Sequence, residues 1–305
     1  MWKIYSLQKK ISILITKGRK DKIIYRYINV NPEERYIKNE HGLVYKIFNE
    51  ITKASQLSNQ FLGTVRSNTI IKADSKTFWT PVTINNIVKA KDSDVWLFTL
   101  ENFKRSPDLF STAVVDTIPT SDDLLLYGPR TISFQTSLRP LSSLNPQQKD
   151  YNWGTAELFH WKTFKGKPAT GIVYKPENFD PKKKYPMICY FYEELDNTLN
   201  TYIPPAPIRS AINISFFVSR GYIIFVPSIK YQVGHPGKSA YDYVVSGAKA
   251  LIAKGFVDPK NIAIQGHSWG GYQVAYLVTA TNMFKAAWAG SPVANMTSAY
   301  GGIRW

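Results

Sequence analysis

A single cysteine, Cys189, stands in 305 residues, so no disulfide can close within the chain and thiol content does not reveal the compartment. It lies inside the apolar run "MICYFY". A reactive thiol needs a polar, partly open setting, so Cys189 reads as a buried structural residue. Long hydrophobic runs are also missing. The opening "MWKIYSLQKKISILITKG" has basic residues and a short apolar stretch, too brief and interrupted for a signal peptide or a membrane span. No export address is legible, the localisation stays open, and neither a cofactor nor a metal is expected. Acidic residues are sparse, at 22 against 38 Lys and Arg, which gives a formal net charge of +16. Such an excess raises a nucleic-acid or membrane-surface partner as one reading. However, basic groups such as "KGRKDK" and "DPKKKY" are scattered among acids and apolar residues, and no helix carries a basic stripe. Solvated surface is the better reading, and no nucleic-acid partner is expected.

What is present excludes a disordered chain: 44% hydrophobic and 14% aromatic residues can bury a core. The length exceeds the roughly 100 to 200 residues of one domain, so two units are expected. Two textures divide the sequence. Over 1–150, short runs rich in Ile, Val, Tyr, Phe and Trp ("WKIYSL", "ISILIT", "IIYRYINV", "LVYKIF", "NIVKAK", "VWLFTL") are broken by turn clusters such as "NPEE", "KNEHG", "AKDSD" and "TSDD". This rhythm predicts antiparallel strands in meanders, without a strict repeat, as diverged propeller blades would have.

Over 151–305 the pattern changes to α/β. "FHWKTF" and "TGIVYKP" flank "KGKPA" as a hairpin, and "PMICYFY" is a continuous apolar strand of the kind buried on both faces. A helix over "RSAINISFFVSRG" closed by Gly221, the strand "YIIFVPS", and a helix over "SAYDYVVSGAKALIAKG" capped by Ser239 and ended by Gly255 follow. Then come the strand "NIAIQ", the helix "GGYQVAYLVTA" and the strand "KAAWAGSP". Such alternation predicts a parallel sheet with helices on both faces.

Gly266, Ser268 and Gly270 match G-x-S-x-G between a predicted strand and a predicted helix. A sharp turn there exposes the serine hydroxyl, the glycines leave room for it, and the following helix directs its first amides toward the site. Ser268 is the candidate nucleophile.

With these residues in view, "GFVDPKNIAIQGHSWGGYQVAYLVT" and "PKKKYPMICYFYEE" resemble the prolyl oligopeptidase family of serine peptidases. The resemblance covers the C-terminal half, and the strand-rich half is similar to the closing blades of that family's propeller. It implies an α/β-hydrolase domain behind a propeller, with short peptides as substrates. It further implies that Ser268 attacks the peptide carbonyl, that the backbone N–H of Trp269 is one oxyanion donor, and that a tyrosine hydroxyl is the other. Tyr192 occupies that place, with Tyr190 as its rival. A phenol suits the task because it stays protonated at neutral pH. This chain departs from the family pattern just after it, where Glu193, Glu194 and Leu195 replace small residues and glycine.

In α/β-hydrolases the triad follows the order Ser, Asp or Glu, His, yet no Asp, Glu or His follows Ser268. His267 adjoins the nucleophile and His235 sits in "VGHPGKSAY"; both read as loop or surface residues rather than the base. The expectation is an internal portion of a longer peptidase, with a partial propeller-like domain over 1–150 and a hydrolase domain over 151–305 whose acid and base lie beyond Trp305. Such a chain is by itself inactive. Another serine hydrolase, an esterase or acyltransferase, and a non-catalytic scaffold or binding module remain open readings, and the oligomeric state is not legible.

Overall fold

The computed structural model describes residues 2–4, 12–14, 16, 18–35, 43–60, 67–72, 82–93, 95–115, 135–207 and 210–300. They fall into two units, Met1–Asn145 and Pro146–Trp305.

In the first unit, β1 (Trp2–Ile4) and β2 (Ser12–Leu14) pair antiparallel. After a helical turn, α1 (Gly18–Asp21), two four-stranded antiparallel meanders follow in sequence order. The first holds β3 (Ile23–Ile28), β4 (Leu43–Asn49), β5 (Ser55–Gln60) and β6 (Ser67–Lys72); the second holds β7 (Thr83–Lys89), β8 (Val95–Asn102), β9 (Arg105–Val115) and β10 (Gln135–Pro140). Four strands in an up-and-down meander is the makeup of one propeller blade. In β8 the two-residue period of a strand puts Trp96, Phe98 and Leu100 inside while Val95 and Leu97 stay exposed. Those three side chains join Val44, Leu57, Ile84 and Phe110 in one core, so the two meanders bury apolar faces together. Strands β5, β6, β9 and β10 were not expected. Runs such as "SQLSNQ" have little strand propensity of their own, and pairing with neighbours decides them. The clusters "KNEHG" and "TSDD" lie outside the described residues.

The second unit is built on a six-stranded sheet in the order β11-β12-β14-β13-β15-β16. Its strands are β11 (Thr155–Lys162), β12 (Pro168–Lys175), β13 (Tyr185–Tyr190), β14 (Ile223–Pro227), β15 (Val257–His267) and β16 (Ala286–Gly290). The expected parallel series is present, since β14, β13, β15 and β16 run parallel, and the expected hairpin strands β11 and β12 extend it antiparallel into a mixed sheet. A hairpin turn can connect only antiparallel strands, and Thr163 and Lys167 close one here. Alternate residues feed opposite layers. Val173, Cys189, Ile223 and Phe225 enter the large core cluster, whereas their neighbours Ile172, Ile188 and Ile224 are buried outside it. Burial on both faces explains the unbroken apolar runs of β13 and β14.

Helix α2 (Ile214–Val218) is shorter than the expected segment because Asn213 caps it, its side chain accepting from the Phe216 N–H at 3.2 Å. The next helix also differs. It begins as α3 (Pro236–Ala240), passes through a π-helical turn at Tyr241–Val245 and continues as α4 (Ser246–Ala253). Proline at the first helical turn fixes φ there, so the start precedes Ser239. Ser239 instead donates to the His235 carbonyl at 2.8 Å and accepts from the Gln232 N–H at 2.9 Å. Helix α5 (Trp269–Ala280) packs on β15 and β16, and α6 (Met296–Ala299) follows. No helix among the described residues is long and apolar enough to cross a membrane.

Candidate active site

Strand β15 ends at His267 and α5 starts at Trp269, so the chain turns from strand to helix through Ser268 alone. Its backbone angles are φ 55° and ψ −112°. A residue with a side chain holds that conformation at a cost of roughly 1–3 kcal/mol, so its surroundings must enforce it. They do so by hydrogen bonds: the Ser268 N–H donates to the Gly290 carbonyl at 2.8 Å, and the Ser268 carbonyl accepts from the Tyr272 N–H at 3.0 Å. The glycines permit the close approach. A Cβ on Gly266 would stand 2.5 Å from the Gly270 carbonyl oxygen, and one on Gly270 would stand 2.5 Å from the Phe191 carbonyl oxygen.

Phe191 and Tyr192 leave the end of β13 and run over the first turn of α5. The Tyr192 ring comes within 3.7 Å of the position a Gly270 Cβ would take, which brings this phenol beside the serine turn. Tyr190 stays within β13, paired with Gln265, and burial raises its phenol above the ordinary value. The unusual segment Glu193-Glu194-Leu195 is held by its backbone: the Ile229 N–H donates to the Glu193 carbonyl at 3.2 Å, and Ser228 Oγ accepts from the Leu195 and Asp196 N–H groups at 3.1 and 2.9 Å. Glu194 meets Lys230 at 3.8 Å, an exposed pair of small energetic consequence.

Two residues beside Tyr192 escaped the sequence reading. Gln273, fully buried on α5, donates through its side-chain amide to the Tyr192 carbonyl at 2.8 Å and to the Tyr231 hydroxyl at 2.9 Å. Tyr231 in turn donates to the same Tyr192 carbonyl at 2.6 Å. Burial above all raises the Tyr231 phenol well above the ordinary range, partly opposed by hydrogen bonds from Trp269 and Gln273 and aided by the Glu193 carboxylate. This hydroxyl therefore remains a donor at any physiological pH. A glutamine amid the apolar inward positions Val274 and Leu277 was the available signal.

His235 and His267 occupy different settings. His235 is exposed at the start of α3. The ring of His267 lies against Trp288, centroids 6.3 Å apart, and its buried Nδ1 has no protein partner. Among the described residues, no group of three or more His, Cys, Asp or Glu could hold a metal ion.

Residues 209–303 match the prolyl oligopeptidase family. Human dipeptidyl peptidase 8 is 29% identical over 152 residues, which is 45% of this chain and 16% of that protein. Bovine prolyl endopeptidase FAP is 28% identical over 128 residues, 39% of this chain and 17% of its own length. The chain thus spans about a sixth of these relatives. Among solved structures, a Bacteroides ovatus protein described as a dipeptidyl aminopeptidase IV superposes with a TM-score of 0.62 at 17% identity, covering 93% of this chain and 37% of that one. That likeness speaks to the fold.

Proposed function

We propose, for a chain that carries a prolyl oligopeptidase family domain in its C-terminal part, that Ser268 is the nucleophile of a serine peptidase acting on short peptides through an acyl-enzyme. The observation that carries this reading is the strand-to-helix reversal through Ser268 at positive φ. At a reversal between a strand and a helix this conformation lifts the serine hydroxyl clear of the sheet, as a nucleophile requires. The first amides of a helix have no partner within it, so the Trp269 N–H can donate to a developing oxyanion. Tyr192, whose ring overlies Gly270, supplies the second donor through its hydroxyl. Gly266 and Gly270 keep the approach short enough for both.

Proton transfer is a separate matter. Residues 269–305 contain no Asp, Glu or His, so the order Ser, Asp, His is not completed within this sequence. A serine hydroxyl without an adjacent imidazole is a poor nucleophile, and the oxyanion donors alone leave on the order of 10³ to 10⁴-fold acceleration over water. We therefore propose that these 305 residues acylate slowly by themselves. Labelling with a fluorophosphonate tests both statements. Slow modification at Ser268 is expected, absent in Ser268→Ala, and faster when free imidazole or a hydrolase segment carrying Asp and His is supplied. Rapid labelling without either would place the base within the chain, with His235 the first residue to replace. Complete inertness under all conditions would favour a non-catalytic binding role.

A further inference from the structure

Three side chains gather behind the serine turn in an arrangement that the turn itself does not require. The Gln273 amide nitrogen reaches the Tyr192 carbonyl, the Tyr231 hydroxyl and, at 3.2 Å, the Trp269 carbonyl. Turning the amide over would set its oxygen against two carbonyls, so these acceptors fix its orientation. The Tyr231 hydroxyl spends its one proton on the Tyr192 carbonyl and accepts from Gln273. The Tyr231 and Trp269 rings meet edge to face, centroids 5.9 Å apart. The Gln273 carbonyl oxygen, by contrast, is buried without a protein partner. A methionine of similar length would fill the same space without burying that oxygen, so stability alone does not account for a glutamine here.

We propose that Gln273 and Tyr231 are positioning residues for the oxyanion site: together they clamp the Tyr192 carbonyl onto the helix that begins at Trp269. This inference rests on the serine-peptidase reading for what Tyr192 is positioned to do; the clamp itself is a property of the loop. Oxyanion donors work when they lie about 2.7–3.1 Å from the charge that develops, and a displacement of about 1 Å costs on the order of 10²-fold. Tyr192 sits on a connection outside the sheet, followed by two exposed carboxylates, Glu193 and Glu194. Without a tie to α5, its hydroxyl and the Trp269 N–H would move independently.

The test places 3-fluorotyrosine at position 192 of the full chain and records its fluorine spectrum. One narrow line is expected in the parent chain. In Gln273→Met and in Tyr231→Phe the line should split, broaden or move toward its position in denatured protein. Leu277→Ala, a core truncation further along α5, should lower the melting temperature and leave the line in place. An unchanged line in a folded Gln273→Met chain would overturn the proposal, and if that variant fails to fold, Tyr231→Phe decides in the same way. A kinetic arm separates this inference from the reading it builds on. Fluorophosphonate labelling of Ser268 should slow about tenfold in Gln273→Met, with no further slowing when Tyr192 is already phenylalanine. Additive slowing would overturn the proposed route through Tyr192. Failure of Ser268 to label at all would remove the catalytic reading, and the fluorine spectrum would still decide the clamp.

Discussion

Replacing Gly270 by alanine probes one of the two close approaches that shape the candidate site. The added Cβ would stand 2.5 Å from the Phe191 carbonyl oxygen, a backbone atom that cannot swing aside as a side-chain end can. Ordinary carbon-to-oxygen contacts are about 3.3 Å, so helix and strand end must part by roughly 0.8 Å. Forcing one extra carbon into a packed region costs about 1–3 kcal/mol. At about 2–4 °C per kcal/mol for a unit of this size, the melting temperature should fall by roughly 2–12 °C. The same movement separates the Trp269 N–H from Tyr192, and a shift approaching 1 Å should slow Ser268 labelling by up to about 10²-fold. Gly166→Ala is the control: its φ of 72° makes the substitution strained, but no atom lies within 4 Å of the new Cβ. That variant should lose about 1 kcal/mol and label normally. Thermal melting followed by circular dichroism, paired with labelling rates, reads both effects. If Gly270→Ala melts within about 1 °C of the parent and labels at the same rate, the close-packed turn is not what holds the site.

Because Ser268 sits at positive φ, Ser268→Gly should be more stable than Ser268→Ala by about 1 kcal/mol in thermal or urea unfolding, and equal stability would argue against backbone strain there. The Trp161 indole donates to Ser246 Oγ at 2.9 Å in a buried setting, so Ser246→Ala should cost about 1–3 kcal/mol by stranding that N–H. Adding Trp161→Phe should then cost less than it does alone, and strict additivity of the two would show that the bond contributes nothing. Burial pushes the Cys189 thiol well above its ordinary value, so it should resist a disulfide reagent in native buffer and react on unfolding. Fast native modification would contradict the placement of β13 in the sheet interior.

The parts of the fold that were legible are those whose burial is uniform. Strands β13 and β14 read correctly because both faces are covered, which leaves no polar position to interrupt the run. The serine turn read correctly because glycine spacing, a preceding strand and a following helix all state the same local geometry. Misread elements share a different trait: their outcome depends on a single competing contact. The segment before α2 has helix-compatible residues, yet the Asn213 side chain takes the Phe216 N–H and starts the helix there. Ser239 looks like a cap, yet Pro236 starts the helix earlier and turns the serine hydroxyl back to His235. In the first unit, polar strands such as β5 exist because neighbours on both sides pair with them, information that a local pattern does not hold.

The candidate site divides along the same line. Ser268, Trp269, Gly266 and Gly270 are neighbours in sequence, and one local turn suffices to place them. Tyr192 comes from a distant strand end, so its choice over Tyr190 rested on resemblance rather than on spacing. Gln273 and Tyr231 were invisible for a stronger reason. Their bonds to each other and to the Tyr192 carbonyl join residues separated by 42, 81 and 39 positions, and each residue type alone is unremarkable. Only the sheet order, which sets the ends of β13 and β14 beside the start of α5, makes them a group. A turn fixes where Ser268 stands, but where the proposed oxyanion donors stand relative to it depends on contacts between elements. It follows that substitutions in the turn and substitutions in the clamp should fail differently. The former should lower stability and labelling together, as with Gly270→Ala, and the latter should lower labelling while the melting temperature holds, as with Gln273→Met.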